Sequence, residues 1–194
     1  MNILVGCEFS GIVRDAFTAQ GHHAVSCDLL PSESDGHHIQ GDILNAIRDG
    51  SWDMLIAFPP CTDLSVSGAK HFAEKRADGR QQRALEFVQA LLDAPIPRIA
   101  LENPVGVIST QIRKPDQIVQ PWMFGEEATK TTCLWLKGLP PLMATNIVGK
   151  GKRHITKSGR SLPEWYNIPP RPDRWKLRST TFKGLAMAMA QQWG

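Results

Sequence analysis

Glu8, Asp28, Cys61 and Glu102 stand at or just past the ends of apolar runs in this 194-residue chain, and all four are residue types that do chemistry. Cys61 is the most reactive type. It sits in Phe58-Pro59-Pro60-Cys61-Thr62-Asp63-Leu64-Ser65-Val66-Ser67-Gly68. Two prolines fix the backbone ahead of the sulfur. A thiol near a helix start or a cation gives up its proton more easily and becomes a nucleophile. Without such help, a lone cysteine after a strand is usually a small buried hydrophobe. A second group of residues suits a ligand. In Cys7-Glu8-Phe9-Ser10-Gly11 the glycine can let a ligand approach the backbone, and the helix that follows offers free N–H groups. The run is neither GxGxxG nor a Walker loop, which disfavours a dinucleotide or triphosphate. Asp28 can accept hydrogen bonds from ribose hydroxyls, and Asp42 can hold an adenine amino group. Such residues are often structural when met singly. Their order along one sheet favours an adenosine-containing ligand.

The elements that must position these residues follow from hydrophobic periodicity. Asn2–Gly6, His23–Asp28, Asp53–Phe58, Arg98–Glu102 and Lys130–Leu136 read as strands, the fourth broken by Pro104. Gly11–Ala19, Ile43–Arg48, Gln81–Leu92 and Ser179–Trp193 read as helices. Leu29–Gln40 is polar and turn-rich. Strands alternating with helices predict an α/β fold, a mostly parallel sheet with helices on both faces. Ligands of such sheets bind at the carboxyl ends of the strands, where the four residues above gather.

The net charge of +3 is unevenly distributed. Residues 1–144 carry 12 Lys/Arg and 17 Asp/Glu, net −5; residues 145–194 carry 10 and 2, net +8. The basic part begins in a stretch rich in Pro and Gly, where Lys150, Lys152, Arg153, Lys157 and Arg160 lie among Gly149, Gly151 and Gly159. This reads as a mobile basic loop that orders against phosphates, with Trp165 and Tyr166 available to stack on a base. The alternative is that Trp165 and Trp175 form the core of a small lobe. The expected division is a catalytic domain over 1–138, a small loop-rich basic insertion over 139–178, and a C-terminal helix over 179–194 returning to the catalytic domain. The four cysteines form no CxxC pair, which argues against a disulfide framework or zinc site and for a reducing cytoplasm. No run reaches the roughly 18 apolar residues that span a bilayer, and the first residues read as a strand with no basic leader. His22-His23 and His37-His38 read as surface residues, so no metal is expected.

Taken together, the motifs resemble those of the DNA cytosine-5 methyltransferases. Pro59-Pro60-Cys61, with Ser65 and Gly68 at matching offsets, is similar to the family's catalytic loop, though Thr62 and Leu64 replace its usual Gln and aromatic residue. Phe9-Ser10-Gly11 resembles its Phe-x-Gly cofactor loop, Asp28 and Asp42 its ribose and adenine acids, and Glu102-Asn103-Pro104 its Glu-Asn-Val motif. Thr181-Phe182-Lys183-Gly184-Leu185-Ala186 resembles its last helix. The resemblance covers about residues 1–136 and 179–193 and is strongest to the short versions found in phages and prophages. It implies a Rossmann-like S-adenosylmethionine-dependent methyltransferase fold, S-adenosyl-L-methionine as cofactor, and DNA, single- or double-stranded, as partner. It further implies that Cys61 attacks carbon 6 of cytosine, that Glu102 protonates or hydrogen-bonds N3, and that Asn103 fixes the loop. Glu8, Phe9, Ser10, Gly11, Asp28, Asp42, Pro59 and Thr181 would then bind the cofactor, and Ser65 with the five basic residues the nucleic acid. A target base within a duplex must be flipped out to reach the thiol.

Two departures from the family are visible. Its Gln-x-Arg-x-Arg motif is not found, and Lys130 or Thr132, in the strand at that position, is expected to substitute. The recognition region is about forty residues, far smaller than usual. A pyrimidine methyltransferase acting on RNA or a free nucleotide is therefore the next reading. A catalytically inactive nucleic-acid-binding relative follows, disfavoured because Cys61 and Glu102 are both kept. An NAD-binding oxidoreductase lacks its glycine fingerprint.

Overall fold

A computed structural model describes all 194 residues. The chain runs β1 (Asn2–Gly6), α1 (Ile12–Ala19), β2 (His23–Asp28), β3 (His38–Gln40), α2 (Ile43–Asp49), β4 (Met54–Ala57), a 3-10 turn (Val66–His71), α3 (Phe72–Ala77), α4 (Arg80–Leu92), β5 (Arg98–Pro104), α5 (Ile108–Gln111), β6 (Gln117–Val119), β7 (Thr132–Lys137), β8 (Arg153–Ile155), β9 (Ser161–Pro163), α6 (Arg174–Ser179) and α7 (Lys183–Trp193). No helix is long and apolar enough to cross a membrane.

Seven strands form one sheet in the order β3-β2-β1-β4-β5-β7-β6. Pairing is parallel from β3 through β5, and β7 runs antiparallel to both β5 and β6. The central strands are buried on both faces, and their alternation feeds two separate cores. Ile3, Val5, Met54 and Ile56 point to one face, where α1 and α7 supply Val13, Phe17, Met189 and Trp193. Leu4, Leu55, Ile99 and Leu101 point to the other, against Val88 and Leu91 of α4 and Ile43 and Ala46 of α2.

Two features of this topology make the site. After β3 the chain crosses back to β4, so the order reverses between β1 and β4 and leaves a crevice at their carboxyl ends. The antiparallel β7 also begins where β5 ends, with Thr132 opposite Pro104 and Cys133 opposite Asn103. Residues at the start of β7 are thereby brought to the carboxyl end of the parallel strands.

Several sequence expectations need correction. Pro104 does not break β5: it is the strand's last residue, where a missing N–H is tolerated. The turn-rich stretch Leu29–Gln40 contains the edge strand β3. β6, α3 and α5 were not anticipated. The last helix begins at Lys183, not Ser179. The basic loop is not a free loop. Its residues pair as the hairpin β8–β9, with Arg153 opposite Pro163 and Ile155 opposite Ser161.

Candidate active site

At the end of β1, Cys7 adopts a left-handed backbone with φ 57°, uncommon for a residue with a side chain. Glu8 follows, buried. Its Oε1 accepts from the Ser10 hydroxyl at 2.6 Å and from the Val13 N–H at 3.3 Å, while Oε2 is buried with no partner. Burial pushes the Glu8 carboxyl upward, against the lowering effect of Ser10, Val13 and Arg14. Gly11 has φ 76° and caps α1; a side chain there would run into Ser34 and Arg14. Phe9 is buried, and its ring lies 5.7 Å from that of Trp175. Arg14 is buried too, and its guanidinium bonds Ser26, Ser32, Ser34 and the Asp35 carbonyl. That network pins the 29–37 loop against Ser10, whose carbonyl accepts from the Ser34 hydroxyl.

The two acids each have a structural task that leaves an oxygen over. Asp28 Oδ1 accepts from the Leu30 N–H at 2.9 Å. Asp42 Oδ1 caps α2 by accepting from the Leu44 N–H at 2.9 Å. Leu29, between β2 and the loop, is 73% exposed and gives an apolar surface beside Asp28. Both acids act on the same thiols. Burial first, then Asp28 and Asp42 together with Cys27, push Cys7 up to about 12. Burial, Asp28 and Asp42 push Cys27 to about 11. Burial and Glu102 push Cys133 to about 11. None of these three is set up as a nucleophile.

Cys61 differs in its surroundings. The residue as a whole is exposed, but the protein around its sulfur withholds enough water to raise the thiol above its ordinary range. Glu102 adds to that rise, while Lys130, Arg178 and a backbone hydrogen bond work against it. Of the four thiols, Cys61 alone has cations acting on it. The Glu102 carboxyl is raised by burial, with Lys130 and the Thr132 hydroxyl opposing. That hydroxyl donates to the Lys130 carbonyl at 3.2 Å. Asn103 is buried, and its Nδ2 donates to the Pro59 carbonyl at 2.8 Å, tying β5 to the Pro-Pro-Cys segment. Phe58 N donates to the Gly6 carbonyl at 2.9 Å, which joins the thiol's loop to the end of β1.

Cys61, Glu102, Asn103, Lys130, Thr132 and Pro59 thus form one group, and Glu8 through Gly11, Asp28 and Asp42 form a second beside it. Thr181 is buried just ahead of α7. Ser65 is buried and turned inward: its N–H donates to the Cys61 carbonyl at 2.9 Å, and its hydroxyl accepts from the Ser67 N–H. Lys150, Lys152, Arg153, Lys157 and Arg160 are exposed on or beside the hairpin, and none is among the charges acting on Cys61 or Glu102. Arg153 is braced, its guanidinium donating to the Ser161 hydroxyl at 2.9 Å and the Ser161 carbonyl at 2.8 Å.

Trp165 and Trp175 do not build a separate small core. Trp165 packs on Phe182 with centroids 5.0 Å apart, and the Lys130 ammonium lies 5.5 Å from its ring centre. Trp175 packs on Phe9, and its neighbour Lys176 pairs with Glu33. α6 is therefore fastened to the cofactor-like loop at one end. At the other end its Arg178 carbonyl accepts from the Lys130 ammonium at 3.2 Å. Arg178, one of the two cations acting on Cys61, is a candidate that no sequence motif singles out. It lies in the basic segment, and the absence of an arginine at the family's usual place was the only signal. No group of histidine, cysteine and acidic residues has the arrangement of a metal site.

No family model matches the chain, and no curated protein matches it. Solved structures do. A DNA modification methyltransferase encoded within an E. coli prophage matches over 77% of this chain and 52% of its own, at 15% identity and TM-score 0.49. The Entamoeba histolytica methyltransferase EhMeth matches over 76% of this chain and 57% of its own, at 14% identity and TM-score 0.53. The chain thus spans little more than half the length of these structures. At such identities the likeness is one of architecture: the chain has the Rossmann-like fold of the methyltransferases.

Proposed function

We propose that the chain is an S-adenosylmethionine-dependent methyltransferase that methylates carbon 5 of cytosine in DNA through a covalent bond to Cys61. The observation that carries this reading is the company of Cys61: a thiol just past the carboxyl end of β4, on which the Glu102 carboxyl and the cations Lys130 and Arg178 all act. The cofactor fits the residues at the β1 and β2 ends. A ligand carrying an ammonium and a sulfonium suits the unpaired Oε2 of buried Glu8, a ribose diol suits Asp28, an adenine amino group suits Asp42, and an apolar ring face suits Leu29.

Bound S-adenosylmethionine supplies an electrophilic methyl group. The chain's own residues make the substrate ready to accept it. The Cys61 thiol gives up its proton to solvent, and the thiolate, favoured by Lys130 and Arg178 against burial and Glu102, adds to carbon 6 of the cytosine. Glu102, whose carboxyl burial raises against the pull of Lys130 and Thr132, gives its proton to N3 as electron density enters the ring. Carbon 5 becomes nucleophilic. Once it carries the methyl, loss of its proton to solvent expels the Cys61 sulfur, and N3 returns its proton to Glu102, which restores the neutral ring. Asn103 and the two prolines keep the sulfur in position throughout.

The test is incubation with labelled cofactor and duplex DNA, single-stranded DNA, RNA or free cytidine nucleotides, followed by digestion to nucleosides. Label in 5-methylcytosine from DNA is the expected result. A 5-fluorocytosine substrate should leave a complex that survives denaturation, absent with Cys61→Ala. A complex that persists in Cys61→Ala rejects the covalent role. The hairpin, with strands of three residues each, is small for reading duplex sequence. Label found only in RNA or free nucleotide would move the substrate to that class and leave the chemistry unchanged.

A further inference from the structure

Lys75 is a buried ammonium outside the groups described so far. It lies on α3, is 6% exposed, and its Nζ donates to the Thr62 carbonyl and sits 3.1 Å from Asp63 Oδ1. Lysine is almost never this buried unless it is paired, because an ammonium loses its hydration there. The groups it pairs with are the two residues that follow Cys61.

The loop around Cys61 is gripped from several sides. Within it, the Leu64 and Ser65 N–H groups both donate to the Cys61 carbonyl, at 3.1 and 2.9 Å. From outside, Asn103 holds the Pro59 carbonyl, Gln81 Nε2 holds the Asp63 carbonyl at 3.2 Å, and the Val107 N–H holds the Leu64 carbonyl at 2.9 Å. Lys75 holds the one between, on Thr62. Sheet, α4 and α3 together immobilise the backbone on both sides of the sulfur, while the residue itself stays exposed.

We propose that Lys75 is a positioning residue for the nucleophile, a latch that holds the turn 61–65 in the shape that presents the Cys61 sulfur to substrate. It acts on the backbone rather than as a charge: the groups that act on the thiol are Glu102, Lys130 and Arg178. The functional part rests on the reading of Cys61 as nucleophile; the mechanical part does not.

The experiment compares the wild type with Lys75→Met, which is one atom shorter and removes the charge, and Lys75→Arg, which keeps the charge on a slightly longer side chain. Hydrogen exchange followed by mass spectrometry reads the peptide spanning 58–68. Iodoacetamide alkylation against pH reads Cys61 itself, and a 5-fluorocytosine oligonucleotide reads adduct formation. In Lys75→Met the loop amides should exchange at least tenfold faster while β1, β4 and β5 stay protected. Adduct formation should slow at least tenfold with cofactor affinity unchanged, the alkylation midpoint should stay put, and Lys75→Arg should recover most of the rate. Unchanged exchange over 62–65 overturns the latch. So does a shift of the alkylation midpoint, which would make Lys75 an electrostatic partner. If Lys75→Met does not fold, Asp63→Ala removes one of the two partners of Lys75 and should loosen the same amides by a smaller factor; no loosening there overturns the proposal equally. A wild type that forms no adduct with any nucleic acid defeats the covalent reading, and the exchange and alkylation arms still decide the latch.

Discussion

Among single residues, what separates Cys61 from the other thiols is which charges face it. Lys130 and Arg178 lower its pKa, and burial with Glu102 raises it. Removing either cation therefore raises the pKa further and leaves less thiolate at neutral pH. Lys130→Met and Arg178→Met should each move the midpoint of Cys61 alkylation to higher pH. At a pH below the midpoint, a midpoint higher by about 1 in pH leaves about a tenth of the thiolate and slows the reaction about tenfold. A midpoint unmoved in both variants would show that neither cation faces the thiol. Glu102 gives the complementary stability prediction. Its folded pKa is raised, so the folded state holds the proton more tightly than the unfolded chain does. Stability is then highest below the ordinary glutamate pKa and declines as pH rises through the folded one. Glu102→Gln should abolish adduct formation and raise the melting temperature at neutral pH by on the order of a few °C, with the gain shrinking as pH falls toward about 4.3. Calorimetry at several pH values checks it. Cys61, Glu102 and Asn103 were legible because prolines and an Asn mark them. Arg178 and Lys75 were not, since one charge in a basic tail and one Lys between Glu74 and Arg76 look like solvated surface.

At the scale of elements, the long parallel strands and α1, α4 and α7 were legible because each has a strong apolar period. β3 and β6 have three residues each and α5 four, too short for a period to show. The existence of β3 and β6 follows from tertiary pairing at the two edges of the sheet. α6 is the instructive case. With no buried residue it has no amphipathic signature, yet it joins both halves of the site. Trp175 rests on Phe9 of the loop after β1, and the charge of Arg178 acts on the Cys61 thiol. Trp175→Ala removes an aromatic contact typically worth about 1 kcal/mol, which corresponds to roughly fivefold in an equilibrium. Since Trp175 is 55% exposed, the melting temperature should barely move. S-adenosylmethionine affinity should fall by about that factor, and Cys61 alkylation should shift to higher pH in the same variant. Calorimetric titration alongside alkylation tests the coupling. A change in one without the other would mean that α6 does not link the two groups.

Across the whole molecule, the charge asymmetry read along the chain becomes an asymmetry in space. The sheet domain carries the acidic excess, and the basic excess lies on the hairpin and α6, which the Trp165–Phe182 and Trp175–Phe9 contacts fasten over the carboxyl end of the sheet. A polyanion drawn to that face would approach the end of the sheet that bears Cys61. The order of strands was not legible, because which strands neighbour one another depends on crossovers that no local pattern encodes. The basic segment was legible as charge but not as a hairpin. That difference changes how the surface should be tested. Arg153 braces β8 against β9 through Ser161, so replacing it would disturb the hairpin as well as the charge. Lys152, Lys157 and Arg160 are exposed, with no side-chain hydrogen bond or ion pair among the contacts of the hairpin. If they and their neighbours meet about three to five phosphates, log affinity for DNA should fall linearly with log salt, with a slope near −0.7 to −0.9 per contact. The triple variant Lys152→Ala, Lys157→Ala, Arg160→Ala should flatten that slope by about two to three, while cofactor affinity and the Cys61 alkylation midpoint stay as in the wild type. Fluorescence anisotropy over a salt series measures it. A wild-type slope near zero, with methylation of free cytidine nucleotides intact, would remove the polymer from the picture and leave the crevice between β1 and β4 as the whole of the substrate site.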